Sequence, residues 1–190
     1  MSLGKTFTVM TKKLYQRQQY NLGDGAKVTY IPGYIPDTKI LFEELLEEIP
    51  WKKYRYEVHG TEVDSPRLMH IISKDNPKLS LFPKLKKRIE KLLKVEFSYA
   101  VLNFYRDGED YIGYHPDREV DSDQVVVSVS LGATRRFALK HRFRPGIRHV
   151  FMLRDGDVLV LNEMAIKGVY KHSVPKMKNV GPRINITFRQ

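Results

Sequence analysis

Two stretches in the first half of the chain repeat apolar residues at helical spacing. Ile40, Leu41, Leu45, Leu46 and Ile49 follow Pro36–Asp37, which predicts a helix over about 38–49 with Asp37 as its cap and one apolar stripe. Leu85, Ile89, Leu92 and Leu93 predict a second helix over 83–94. Pro83 opens it, at a first-turn position where the missing N–H would have no helical partner anyway. Lys84, Lys87, Arg88, Lys91 and Lys94 fall on the opposite side, the pattern of a solvated face. Beyond residue 95 the pattern changes to short β-type segments, at 97–105, 125–131, 135–140, 148–153, 157–161 and 183–189. Arg154–Asp155–Gly156 reads as a hairpin turn between two of them, and Gly132–Ala133–Thr134 joins another pair. Many short strands without intervening helices predict a mainly β sandwich or jelly roll with the two helices packed outside. Residues 1–27 are polar and basic and read as a mobile arm, 28–95 as helices packed on the core, and 96–190 as the core itself, in a single domain.

Composition narrows the chemistry. At 190 residues with 42% hydrophobic, the chain is the size of one domain and supplies a real core. Its 33 Lys and Arg against 22 Asp and Glu give a formal +11, which makes a polyanion a natural partner, although charge alone also suits a basic protein kept soluble. The absence of cysteine excludes disulfides, thiolate-held zinc, iron–sulfur clusters and a thiol nucleophile, so any metal must rest on His, Asp or Glu. The first residues lack the charged-then-apolar order of a signal peptide, and no run approaches the ~20 apolar residues of a membrane span. The expectation is an intracellular, soluble monomer without membrane contact, nuclear in a eukaryote and otherwise cytoplasmic.

In Tyr114–His115–Pro116–Asp117 an imidazole and a carboxylate stand two residues apart, a spacing that turns both to one face at a strand end. His172, in Tyr170–Lys171–His172–Ser173–Val174, is the best third ligand. Two His and one carboxylate on one face of an octahedron leave positions open, the arrangement of non-haem iron(II) oxygenases. Alone, a His-x-Asp pair is far more often incidental, and the histidines at 59, 70, 141 and 149 have no carboxylate at ligand spacing. In the last predicted strand, alternation puts Arg183, Asn185, Thr187 and Arg189 on one face and Ile184, Ile186 and Phe188 on the other. The polar face suits a dicarboxylate, or equally a solvated outer surface.

Taken together and in order, Asn103-x-Tyr105, His115-x-Asp117, His172 and Arg183-x-Asn185-x-Thr187-x-Arg189 resemble the AlkB-like iron(II)/2-oxoglutarate dioxygenases, and among them the animal DNA-repair members. The stretches Asn103–Gly113 and Val127–Phe137 extend the likeness, which covers about residues 55–190. The resemblance implies a double-stranded β-helix, or cupin-like jelly roll, with iron(II) held by His115, Asp117 and His172. It further implies that 2-oxoglutarate is held by Arg183 and Tyr105 at its distal carboxylate and by Asn103 and Arg189 at the other end, with Asn185 and Thr187 completing the polar strand. The implied reaction consumes O2, converts 2-oxoglutarate to succinate and CO2, hydroxylates an alkyl carbon on a base nitrogen and releases it as an aldehyde, with ascorbate as the assay reductant.

For the substrate, DNA or RNA carrying alkylated bases, the resemblance offers less. His59 stands in the hairpin where relatives place a larger, duplex-wedging ring, and Arg67 follows in Ser65–Pro66–Arg67. Leu68–Met69–His70–Ile71–Ile72 lacks the family's usual aromatics, so stacking would fall to Trp51, Tyr54 and Tyr56 unless these simply pack the hairpin. Glu119 lies where relatives face the base edge, and Arg136 is expected inside the cavity near Asp117. Arg135, Lys140, Arg142 and Arg144 form the densest basic run near the metal motif and are the expected phosphate contacts. The competing functions are hydroxylation or demethylation of a protein or lipid on the same scaffold, and a non-catalytic nucleic-acid-binding relative.

Overall fold

The computed structural model describes residues 16–58, 60–73, 76, 78–117, 120–121 and 124–190, with backbone alone at 56–58 and 61. In chain order the elements are β1 (Gln18–Gly23), β2 (Ala26–Ile31), α1 (Thr38–Glu48), β3 (Arg55–Val58), β4 (Thr61–Asp64), β5 (Leu68–Ile72), α2 (Phe82–Leu93), β6 (Tyr99–Tyr105) and β7 (Ile112–His115). They continue with β8 (Val125–Gly132), β9 (Arg135–His141), β10 (Arg148–Leu153), β11 (Val158–Asn162), a π-helical turn (Met164–Gly168), β12 (Tyr170–Val174) and β13 (Arg183–Arg189).

The strands form a seven-stranded sheet of order β1-β2-β11-β8-β13-β6-β5, a four-stranded sheet of order β10-β9-β12-β7, and the ribbon β3–β4. Their pairings are antiparallel. The two larger sheets face each other across a core that includes Val28, Tyr105, Val126, Phe137, Leu139, Leu161 and Tyr170, drawn from both. This is the expected jelly roll. On the far side of the larger sheet, Leu41, Leu45, Leu85 and Ile89 of the helices join Leu102, Val127, Val129, Ile184, Ile186 and Phe188 in a second apolar layer. Every residue of β13 is therefore buried, its apolar side under the helices and its polar side between the sheets, which removes the solvated-surface reading of that strand.

Both predicted helices are present within a residue or two. The cap of α1 differs: Asp37 sits in the left-handed region at φ 49° and makes no side-chain cap bond. Glu44 caps α2 instead, accepting from Ser80 N (2.8 Å), Ser80 Oγ (2.7 Å) and Leu81 N (3.0 Å), which locks the two helices together.

The turn Arg154–Asp155–Gly156 does not close a hairpin. It carries the chain from β10 in the smaller sheet to β11 in the larger, and Gly132–Ala133–Thr134 likewise passes from β8 to β9. Such corners turn sharply against neighbouring chain. Gly156 has φ +75°, and a Cβ there would lie 2.3 Å from the Ile35 carbonyl oxygen. The boundary of the expected arm also moves, because residues 18–23 and 26–27 are strand: β1 pairs with β2, which lies inside the larger sheet. β1 is held by backbone pairing and buries few side chains, so it lacks the apolar alternation that would mark it. β2 and β5 also carry the larger sheet outside the expected 96–190 core. Among the described residues, no helix is long and apolar enough to cross a membrane.

Candidate active site

Strand register assembles the site. β13 lies between β8 and β6, setting Arg183 opposite Tyr105 and Asn185 opposite Asn103, while the β12–β7 pairing sets His172 opposite His115. The inward faces of the two sheets thus bring together residues far apart in sequence, such as Asn103 and Asn185.

His115, Asp117 and His172 each offer a ligand atom, and these atoms lie within 4.8 Å of one another. Asp117 Oδ1 is 3.6 Å from both His115 Nε2 and His172 Nε2. Its other oxygen, Oδ2, accepts Arg189 Nη2 at 2.7 Å, which turns Oδ1 toward the imidazoles. The Asp117 backbone N–H is fixed by the Ile166 carbonyl of the π-helical turn (3.2 Å). His115 Nδ1 lies 2.9 Å from the Gly113 carbonyl, which can only accept, so the proton sits on Nδ1 and the Nε2 lone pair faces Asp117. Burial lowers the pKa of His115 against the opposing pull of the Gly113 carbonyl and Asp117. Burial, with His115, Arg189 and Arg67 nearby, drives that of His172 well below the ordinary value. Both rings are therefore neutral near pH 7, the state a metal requires. A donor set of two neutral imidazoles and one oriented carboxylate fits iron(II) with one side left open.

Arg183 is 1% exposed, and its Nη2 donates to Ser130 Oγ at 2.8 Å, while its Nε and Nη1 have no hydrogen-bond partner among the described residues. Its guanidinium lies 5.4 Å from the Tyr105 ring centroid. Burial lowers its pKa to about 10, with Tyr105 opposing and Arg135 adding to the shift. A buried cation with open donors is stable only when an anion satisfies them, and a carboxylate matches the fork. The rest of the polar strand is internally braced. Asn185 Nδ2 donates to Ser128 Oγ (2.7 Å) and the Val129 carbonyl (3.0 Å), and Thr187 Oγ1 donates to Asn185 Oδ1 (3.4 Å). Arg67 Nε donates to Asn103 Oδ1 at 2.7 Å, which fixes that amide with its nitrogen as the remaining polar end.

A cleft of about 740 Å³ opens above this centre, lined by the three candidate ligands, by Asn103, Tyr105, Asn185, Thr187 and Arg189, and further by Tyr54, Arg67, Met69, Ile71, Tyr111 and Tyr114. The volume lies in the range of sites that hold small molecules. Trp51 packs against Phe104 (5.3 Å between rings) and is not part of this lining.

Two expectations are corrected here. Arg135 is fully buried and clasps the carbonyls of Asp107, Asp110 and Pro175 at 2.7–2.9 Å, so it reaches no phosphate. Arg136, expected inside, is exposed and donates to the Lys176 carbonyl (3.0 Å). Alternation along β9, which begins at Arg135, turns Arg135 inward and Arg136 outward. Arg142 donates to the carbonyls of Lys167 and Gly168 (2.9 Å each), Arg144 pairs with Asp24, and Lys140 is half-buried on the same strand; none lines the cleft. His59 and Glu119 lie outside the described residues.

Several contributors escaped the sequence reading. Ser128 and Ser130 form the polar wall behind β13, and their signal was present as two hydroxyls alternating with valines in Val126–Ser130. Asp110, paired with Arg106 at 2.8 Å, holds the loop that Arg135 clasps.

A double-stranded β-helix enclosing two histidines, a carboxylate and a buried, unsatisfied arginine defines a non-haem iron, 2-oxo acid oxygenase. The model of the 2OG-Fe(II) oxygenase superfamily matches residues 27–189, and the chain belongs to that family. Iron(II), 2-oxoglutarate and O2 are accordingly its cofactors. The chain is similar to mouse "Alpha-ketoglutarate-dependent dioxygenase alkB homolog 3", 29% identical over 188 residues, covering 86% of this chain and 66% of the relative. It is also similar to bovine "DNA oxidative demethylase ALKBH2", 32% identical over 125 residues, covering 60% of this chain and 44% of the relative. The chain thus spans less than two thirds of the length of these curated relatives. Among solved structures, that described as "The structure of OsALKBH1" shares the fold, with a TM-score of 0.65 at 17% identity, covering 91% of this chain and 100% of that one.

Proposed function

We propose that this dioxygenase removes alkyl groups oxidatively from damaged bases in DNA or RNA. The observation that carries the reading is the cleft itself, which joins the candidate metal ligands and the polar β13 face to a mouth walled by Tyr54, Tyr111 and Tyr114. Aromatic walls around a base-sized space are what a base withdrawn from its stack requires. The names of the relatives point the same way.

In this reading His115, Asp117 and His172 hold the metal through Nε2, Oδ1 and Nε2, and Arg189 keeps Asp117 aimed. Arg183, beside Tyr105, receives the distal carboxylate of 2-oxoglutarate on the nitrogens the chain leaves open, while Asn103 and Arg189 serve the end nearer the metal. Burial of Arg183 strengthens that ion pair by excluding water. Phe137, stacked on His172 at 5.5 Å, and Ile166 keep the metal side of the cleft apolar. With metal and cosubstrate bound, the chemistry supplied is hydroxylation of the alkyl carbon by O2 as 2-oxoglutarate goes to succinate and CO2, the hydroxyalkyl group then leaving as aldehyde.

The test is a panel of methylated single- and double-stranded DNA and RNA oligonucleotides, incubated with iron(II), ascorbate and 2-oxoglutarate and read by mass spectrometry. Loss of the methyl mass from at least one class is expected. Vigorous 2-oxoglutarate turnover with every oligonucleotide unchanged would favour a protein or lipid substrate.

A further inference from the structure

The positive charge is spread around the molecule, and the structure separates cations that can meet a strand entering the cleft from those that cannot. Lys84, Lys87 and Lys91 are exposed on α2, but α2 packs on the outer face of the larger sheet, whereas the cleft opens on the inner face. They therefore lie on the side of the sheet away from the cleft. Arg135 is buried, Arg142 is held by two carbonyls, Arg144 is paired with Asp24, and Lys176 is paired with Glu109 at 2.9 Å.

The segment Lys52–Lys53–Tyr54 differs on each count. Both lysines are exposed, and neither ammonium has an ion pair or hydrogen bond among the described residues. Their backbone is not free to swing. Lys52 forms a two-bond bridge with Met69, N to O at 3.2 Å and O from N at 2.8 Å, and Trp51 anchors the segment against Phe104. Met69 and Tyr54 line the cleft. Tyr54 is 39% exposed, and its carbonyl is fixed by the Ser65 N–H at 2.7 Å.

We infer that Lys52 and Lys53 form the phosphate contact of this enzyme, seating the backbone of a single nucleic-acid strand at the cleft rim while Tyr54 stacks on a base at the mouth. The inference rests on the nucleic-acid reading above and adds the surface that holds the substrate. Two unpaired cations on a rigid segment bind phosphates at little ordering cost, and an adjacent aromatic face is the usual complement for a single strand. The arrangement makes affinity divisible: the lysines supply the salt-dependent part and the tyrosine the salt-independent part.

Fluorescence anisotropy with an unmodified single-stranded oligonucleotide over a salt series separates them. Lys52→Ala/Lys53→Ala should flatten the slope of log affinity against log salt by about 1.4, at ~0.7 per phosphate contact on a single strand. Tyr54→Leu should weaken binding by about tenfold with the slope unchanged, since stacking releases no counterions. Lys84→Ala/Lys87→Ala/Lys91→Ala should leave the slope as in the wild type, and matched melting temperatures confirm that each variant is folded. Wild-type binding with a slope that the Lys52/Lys53 pair does not alter, or that the α2 variant flattens instead, overturns the inference and leaves the nucleic-acid reading intact. Absence of salt-dependent single-strand binding by the wild type also overturns the inference, and the methylated-oligonucleotide panel then decides the nucleic-acid reading by itself.

Discussion

Arg189 donates Nη2 to Asp117 Oδ2 at 2.7 Å, so the last strand of the fold sets the direction of the one carboxylate in the candidate metal centre. With Oδ2 held, Oδ1 remains equidistant from the two imidazoles. Arg189→Gln should weaken metal affinity by about 10- to 100-fold, the usual effect of losing a partner that orients a ligand. Titration of metal-free protein with manganese(II) or cobalt(II) reads this directly. An unchanged affinity would mean that Asp117 is aimed by something else.

Arg183→Lys should raise the 2-oxoglutarate requirement by about ten- to a hundredfold, because a charge-assisted fork is worth ~1.5–3 kcal/mol and an ammonium cannot reproduce it. Metal binding should change little, since Arg183 makes no contact with the three ligands. The comparison of KM with metal affinity checks both halves. A normal KM would take the cosubstrate's distal carboxylate away from Arg183.

Asp110 connects the site to acid stability. Burial raises its pKa, but the side-chain and backbone hydrogen bonds from Arg106 outweigh burial and leave it lowered overall. A carboxylate with a lowered folded pKa contributes stability that is full above its unfolded pKa and lost as pH falls through the folded value. Asp110→Asn should therefore cost about 1–3 kcal/mol at pH 7, and the gap to wild type should close progressively below the ordinary value of 3.8. Denaturant melts of metal-free protein at neutral and acid pH would show it. A gap that stays constant into acid would assign the loss to packing.

How much of this was readable beforehand follows from what each residue signals. The stripes of α1 and α2 and the alternation of β13 are long and regular, and they placed those elements within a residue or two. The motif order brought His115, Asp117 and His172 forward, and strand register set the histidines opposite each other. β1 and β5 remained illegible because edge strands bury only part of one face. The sheet-switching corners at Gly132 and Gly156 look locally like hairpin turns, and only the partner strands distinguish them. Arg135 and Arg136 show the limit most sharply: adjacent and chemically identical, they take opposite fates through one step of strand phase.

The proposed function directs oxidation in this cleft at an alkyl group on a nucleic-acid base. Formaldehyde and succinate should be quantified together after incubation with a methylated single-stranded oligonucleotide, its unmodified counterpart, or neither, using wild-type protein and Asp117→Ala. Formaldehyde in step with the extra succinate is expected for the methylated strand alone, and neither product above background from folded Asp117→Ala. Succinate formation by wild type that ignores the methyl group and yields no formaldehyde would rule out base demethylation, and near-normal turnover by Asp117→Ala would remove Asp117 from the metal centre.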